Sequence, residues 1–148
     1  MPTQLNGRTC DMDSLMAIAD EHGLKIVEDS CQALGAAYRG TKAGLFGVAG
    51  SYSFYPAKTL GCFGDGGAVV TNNSELAEKA ARLRSHGINR PYDDKDEMPW
   101  YYEQEDLGWN YRLTDLQASL GHSQINRLND FLFQRRRIAL RYDELLRK

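Results

Sequence analysis

Apolar residues at Met12, Leu15, Met16 and Ala19 recur at three- and four-residue steps, the spacing of one helix face, with Asp11 placed to cap the start and His22-Gly23 the end. Leu24 to Val27 then reads as a short strand that stops at two acids, Glu28 and Asp29. A helix followed by a buried strand is the mark of an α/β fold. From Ser30 to Gly50 the chain is rich in glycine and alanine, which predicts tight turns and close backbone approach. Ser51 to Tyr55, closed by Pro56, and Ala68 to Thr71 read as further strands. A second helix opens at Asn73 or Ser74, carries Leu76, Ala80 and Leu83 on one face, and stops at His86-Gly87. Thr114 and Gln117 have the spacing of a capping box, opening a third helix with Leu116, Leu120, Ile125 and Leu128 on useful positions. A charged helical pattern then runs through Leu146, either continuous or broken near Asn129-Asp130. Between the second and third helices, Ile88 to Asp106 shows no period and reads as a functional loop or local disorder.

Composition narrows this picture more than it extends it. At 148 residues, with 42% hydrophobic, 26% charged and 10% aromatic residues, the chain fits one ordinary globular domain. A net charge of −2 gives no general attraction to nucleic acid or anionic lipid. The basic cluster Arg135-Arg136-Arg137 reads as a solvated helix face. Cys10, Cys31 and Cys62 are odd in number and far apart, which predicts reduced thiols, and neither they nor the three histidines have metal-ligand spacing. The first residues lack the basic-then-apolar pattern of a signal peptide, and no apolar run approaches the ~20 residues of a membrane span. A cytoplasmic location is expected.

Three features could carry chemistry. Asp29 sits at the C-terminal end of a strand, where ligands of open α/β sheets bind, although an aspartate there also caps turns. Lys58 follows a strand and a proline and precedes a run of glycines; such an amine becomes a nucleophile when its surroundings favour the neutral form, yet most lysines are plain surface groups. The loop Gly61-Cys62-Phe63-Gly64-Asp65-Gly66-Gly67 could cradle a phosphate, but it leads into a strand, unlike either the nucleotide-hydrolysing or the dinucleotide fingerprint.

Taken together, Glu28-Asp29-Ser30-Cys31-Gln32-Ala33, Ser53-Phe54-Tyr55-Pro56-Ala57-Lys58, Gly64-Asp65-Gly66-Gly67-Ala68-Val69-Val70-Thr71-Asn72, Leu83-Arg84-Ser85-His86-Gly87 and Gly108-Trp109-Asn110-Tyr111-Arg112-Leu113 resemble the DegT/DnrJ/EryC1/StrS family of sugar aminotransferases that use pyridoxal 5'-phosphate (PLP). The resemblance implies an α/β fold, part of the large PLP-binding domain of the aspartate-aminotransferase-like fold, with a mixed, mostly parallel sheet flanked by helices. By the same resemblance Lys58 holds the cofactor covalently and then moves the proton, and Asp29 pairs with the ring nitrogen. Gln32 lies against the ring face and phenolic oxygen, Ser53 donates to the phosphate, and Asn110 reaches the phosphate of a neighbouring subunit. A homodimer with shared active sites follows, as does amino transfer from an amino-acid donor, glutamate, to a keto group on a nucleotide-linked deoxysugar. A histidine in place of Lys58 would mark the family's dehydratase-like branch.

The resemblance further implies that residues 1–148 form a single partial PLP-binding domain, with the family's N-terminal phosphate-cradling part and C-terminal small domain outside it. Such a piece is expected to expose sheet edges and apolar surface. It leaves open a non-catalytic relative acting as a dimerising or scaffold module, or a dehydratase-like relative. Tyr92, Trp100, Tyr101 and Tyr102 could line the sugar pocket or pack locally.

Overall fold

The computed structural model describes residues 1–89, 98 and 100–147. Its centre is a three-stranded sheet in the order β1 (Val27–Asp29), β4 (Ala49–Ser53), β5 (Gly67–Val70). Strands β1 and β4 are parallel, with Val27 opposite Ala49 and Asp29 opposite Ser51, whereas β4 and β5 are antiparallel. The sheet is therefore mixed, as expected. Pro2 to Gln4 runs parallel along the free edge of β1, with Gln4 N–H donating to the Asp29 carbonyl at 2.8 Å and Asp29 N–H to the Pro2 carbonyl at 2.9 Å.

Four helices accompany the sheet: α1 (Met12–Glu21), α2 (Ser74–Arg84), α3 (Asp115–Ile125) and α4 (Leu128–Leu146). Their starts obey the capping rules read from the chain. Asp11 accepts from Ser14 N–H, Asn73 from Leu76 N–H, and Thr114 and Gln117 form both halves of a capping box. The break between α3 and α4 falls at Asn126-Arg127, slightly before the expected site.

The strands depart from expectation in register. The first does not stop before the acids but contains them, because residues 22–24 are used to close α1: Leu24 N–H donates to the Ala19 carbonyl at 2.8 Å, with Gly23 in a left-handed conformation. The second strand likewise starts and ends earlier, at Ala49 and Ser53, since Tyr55 N–H is taken by the Ser53 hydroxyl and Lys58 N–H by the Tyr55 carbonyl. Two small ladders had no clear signal. One is a hairpin of β2 (Ala37–Tyr38) with β3 (Thr41–Lys42), turned by Arg39 and Gly40, both at positive φ. In the other, β6 (Ile88–Asn89) pairs antiparallel with β7 (Glu103–Gln104), so the aperiodic segment is closed at its base.

The buried core holds Met12, Ala19, Ala33, Ala43, Ala49, Leu60 and Cys62. Neither α3 nor α4 has a buried residue, and Phe133, Ile138, Leu140 and Leu146 of α4 are more than half exposed, in line with the expected apolar surface. All three cysteines are free thiols, as expected. No helix among the described residues is long and apolar enough to cross a membrane.

Helix α4 is set against the loop after β1 through Leu132, whose side chain fills the space a Cβ on Gly35 would need; Gly35 itself is at φ +87°. Gly35→Ala combines a disfavoured backbone with overpacking. It is expected to cost about 2 kcal/mol, read as a lower thermal midpoint.

Candidate active site

Strand β1 ends by placing two neighbouring carboxylates in different surroundings, because successive side chains point to opposite sides of a sheet. Glu28 is fully buried. Its Oε1 accepts from Phe46 N–H (2.7 Å) and Gly47 N–H (3.0 Å), and its Oε2 from Gly44 N–H (2.8 Å) and Gln4 Nε2 (3.0 Å). This carboxylate ties the glycine-rich loop to the strand. Sequence reading treated Glu28 only as a strand stop; four donors from distant positions could not be read locally.

Asp29 lies on the other face of the strand, within electrostatic reach of Lys58. Its Oδ1 accepts from Cys31 N–H at 3.1 Å, so Asp29 caps the turn that follows β1. The neighbouring Cys31 thiol and this backbone bond hold Asp29 below the ordinary carboxyl range, with a further pull from Lys58. The Cys31 thiol is in turn pushed up, first by burial and then by its bond to Asp29.

Lys58 lies at the tip of a tight turn that leaves β4 at Ser53 and returns at Gly61. A Cβ on Gly61 would stand 2.7 Å from the Pro56 carbonyl oxygen, so only glycine lets the two limbs approach this closely. Lys58 and Thr59 share a cavity of about 660 Å³ with Cys31, Gln32 and Ser53, within the range of small-molecule sites. Gln32 Oε1 accepts from Asn6 N–H at 3.1 Å and fastens the N-terminal turn to the rim. Ser53 Oγ accepts from Tyr55 N–H at 3.2 Å, which leaves its proton free to donate into the cavity.

The structure thus brings Gln32, Ser53 and Lys58 to one cavity, while Asp29 lies just outside its lining, bonded to Cys31 of its wall. It places Asn110 elsewhere: exposed, outside this cavity, with its backbone bridged to Ser85. Trp100, Tyr101 and Tyr102 do not line the cavity either, and Tyr92 lies outside the described residues. Arg135 and Arg136 are exposed, as a solvated helix face should be, yet they also form one wall of the cavity. That contribution depends on where α4 docks, which no local pattern encodes. No cluster of histidine, cysteine and acidic residues suited to a metal occurs among the described residues.

These residues fit PLP. The Lys58 amine, the Ser53 hydroxyl and the Gln32 amide line one roomy cavity, and the Asp29 carboxylate, bonded to Cys31 of its wall, is near enough to feel the Lys58 charge.

The mixed sheet with its accompanying helices is part of the aminotransferase α/β fold. The chain belongs to the DegT/DnrJ/EryC1/StrS aminotransferase family, whose profile it matches over residues 1–148. Members of this family are PLP-dependent aminotransferases. Among its relatives are a pleiotropic regulatory protein of Geobacillus stearothermophilus, 42% identical over 99% of this chain and 37% of that protein, and the dTDP-3-amino-3,4,6-trideoxy-alpha-D-glucose transaminase of Streptomyces venezuelae, 42% identical over 96% of this chain and 35% of that enzyme. A DegT DnrJ EryC1 StrS aminotransferase from Brucella abortus superposes with a TM-score of 0.84 at 38% identity, covering 98% of this chain and 36% of that one. A putative sugar aminotransferase from Streptococcus pneumoniae, solved in a PLP-form, superposes with a TM-score of 0.83 at 27% identity, over 97% and 40% of the respective chains. The chain spans a little over a third of the length of these curated relatives.

Proposed function

We propose that residues 1–148 are part of the large domain of a cytoplasmic, PLP-dependent aminotransferase that moves an amino group from an amino acid, glutamate, to a keto group on a nucleotide-linked deoxysugar. The observation that supports this most is the cavity shared by Lys58, Gln32 and Ser53, with the Asp29 carboxylate bonded to Cys31 of its wall and within electrostatic reach of Lys58. PLP supplies an aldehyde and an electron-withdrawing ring when bound. The Asp29 carboxylate would keep the ring nitrogen protonated, Gln32 would lie against the ring face and phenolic oxygen, and Ser53 would donate a hydrogen bond to the phosphate. The Lys58 amine would hold the aldehyde carbon, with loss of water, and would then serve as the base and acid that moves the proton at the donor carbon. Asn110, turned away from this cavity, serves the phosphate of a second subunit in a homodimer. The sugar and nucleotide class rests on the family and on what its relatives act on.

Incubating the chain with PLP and trapping with borohydride tests the reading. A stable adduct is expected on Lys58 by peptide mapping, and none at that site in Lys58→Ala. Label spread evenly over Lys25, Lys42 and Lys79 as well would refute it.

A further inference from the structure

Lys58 is held by more than its own strand. Two glutamines of α3, Gln117 and Gln124, lie seven residues and so about two turns apart on one face of the helix, and both reach the loop that follows Lys58. Gln117 Nε2 donates to the Asp65 carbonyl at 2.6 Å. Gln124 bonds Gly61 twice: its Nε2 donates to the Gly61 carbonyl at 2.7 Å and its Oε1 accepts from Gly61 N–H at 3.1 Å. A planar amide that pairs with both groups of one residue acts like a neighbouring strand, fixing that residue in position and in rotation. Gly61 is where the limb leaving Lys58 returns onto Pro56, and the next residue continues the attachment through Cys62 N–H donating to the Phe54 carbonyl at 2.7 Å. Between the glutamines, Gly121 lies against Cys62 and Leu60, both buried.

We propose that Gln124 is a positioning residue for Lys58: by clamping both backbone groups of Gly61 it closes the turn that carries the lysine and aims its amine into the cavity that Gln32 and Ser53 line. This rests on the reading of Lys58 as the cofactor-bearing amine. Gln117 steadies the far end of the loop, but Gln124 acts three residues from Lys58 and on both polar groups of the hinge. Without the clamp, the limb from Thr59 to Gly61 keeps the bond of Cys62 and the burial of Leu60 but loses the hold on both polar groups of Gly61, and the amine samples directions away from the cavity. An error of about 1 Å in a reacting group costs as much as about 10²-fold in rate.

The test uses site-resolved PLP labelling at a temperature below every protein's melting transition, with Lys25, Lys42 and Lys79 as internal references. The wild-type chain is expected to label Lys58 preferentially. Gln124→Leu, which loses both bonds, should lower the Lys58-to-reference ratio by about tenfold or more, and Gln124→Glu, which keeps the acceptor for Gly61 N–H but cannot donate to its carbonyl, should fall between. In the same variants the Gly61 amide should exchange with deuterium faster while amides of β4 and β5 keep wild-type rates. A residue that merely adds stability would leave the labelling ratio unmoved under these conditions, so an unchanged ratio overturns the proposal whatever the exchange shows. Loss of protection throughout β4 and β5 also overturns it, since the effect is then general loosening. A wild-type chain with no preference for Lys58 defeats the functional reading itself, and the positioning role with it. Preference in wild type with none lost in the variants defeats only the role of Gln124.

Discussion

Asparagine in place of Asp29 is expected to lower amino transfer by the enzyme that carries this segment by at least about a hundredfold, the scale associated with losing a positioned proton partner. The side chain keeps its size and can still accept from Cys31 N–H, so the turn survives. What it loses is charge: a neutral amide does not hold a proton on a ring nitrogen. Turnover measured at saturating donor checks this, and a rate within a few-fold of wild type would remove Asp29 from the chemistry. The same substitution has a readout in the isolated chain. Folding places the Asp29 pKa below its unfolded value, so it contributes stability that is present above the ordinary aspartate value of about 3.9 and is lost as pH falls through the folded value. Thermal midpoints should therefore decline less steeply below about pH 4 in Asp29→Asn than in wild type.

The second large effect is expected at the neighbouring carboxylate. Glu28→Gln keeps the shape of the side chain but turns an amide nitrogen toward backbone N–H groups of the Gly44 to Gly47 loop, leaving buried donors without acceptors. The cost is roughly 3 kcal/mol, equivalent to a fall of about 10 °C in the thermal midpoint of a domain of this size. A calorimetric midpoint within about 2 °C of wild type would show that the three loop bonds to Glu28 do not carry the loop. Asp29 and Glu28 thus separate two roles that adjacent acids cannot reveal by type alone. Substitution of the first is read mainly in turnover, of the second mainly in melting.

Much of the local structure was legible because short-range rules produce it. Asp11, Asn73 and Thr114 with Gln117 satisfy helix N–H groups within three residues of themselves, so their caps follow from adjacency. Strand bounds were read less well, since they depend on competition for single N–H groups: Leu24 N–H goes to α1, and Tyr55 and Lys58 N–H go to a turn. The hairpin at Arg39-Gly40 was missed because an arginine at positive φ gives no turn signal.

The residue types at Asp29, Gln32, Ser53 and Lys58, and the order of the motifs around them, were determined by the sequence alone, as were the capped helices and the family, because each depends on chemistry encoded within a few positions. Only the tertiary structure decided that Gln32, Ser53 and Lys58 share one cavity, that Glu28 serves the loop instead, that Arg135 and Arg136 wall the site, and that Gln124 reaches 63 positions back to Gly61. Those are contacts between segments far apart in the chain, and a hydrogen bond or a cavity wall is set by where two backbones come to rest, which neither segment specifies by itself.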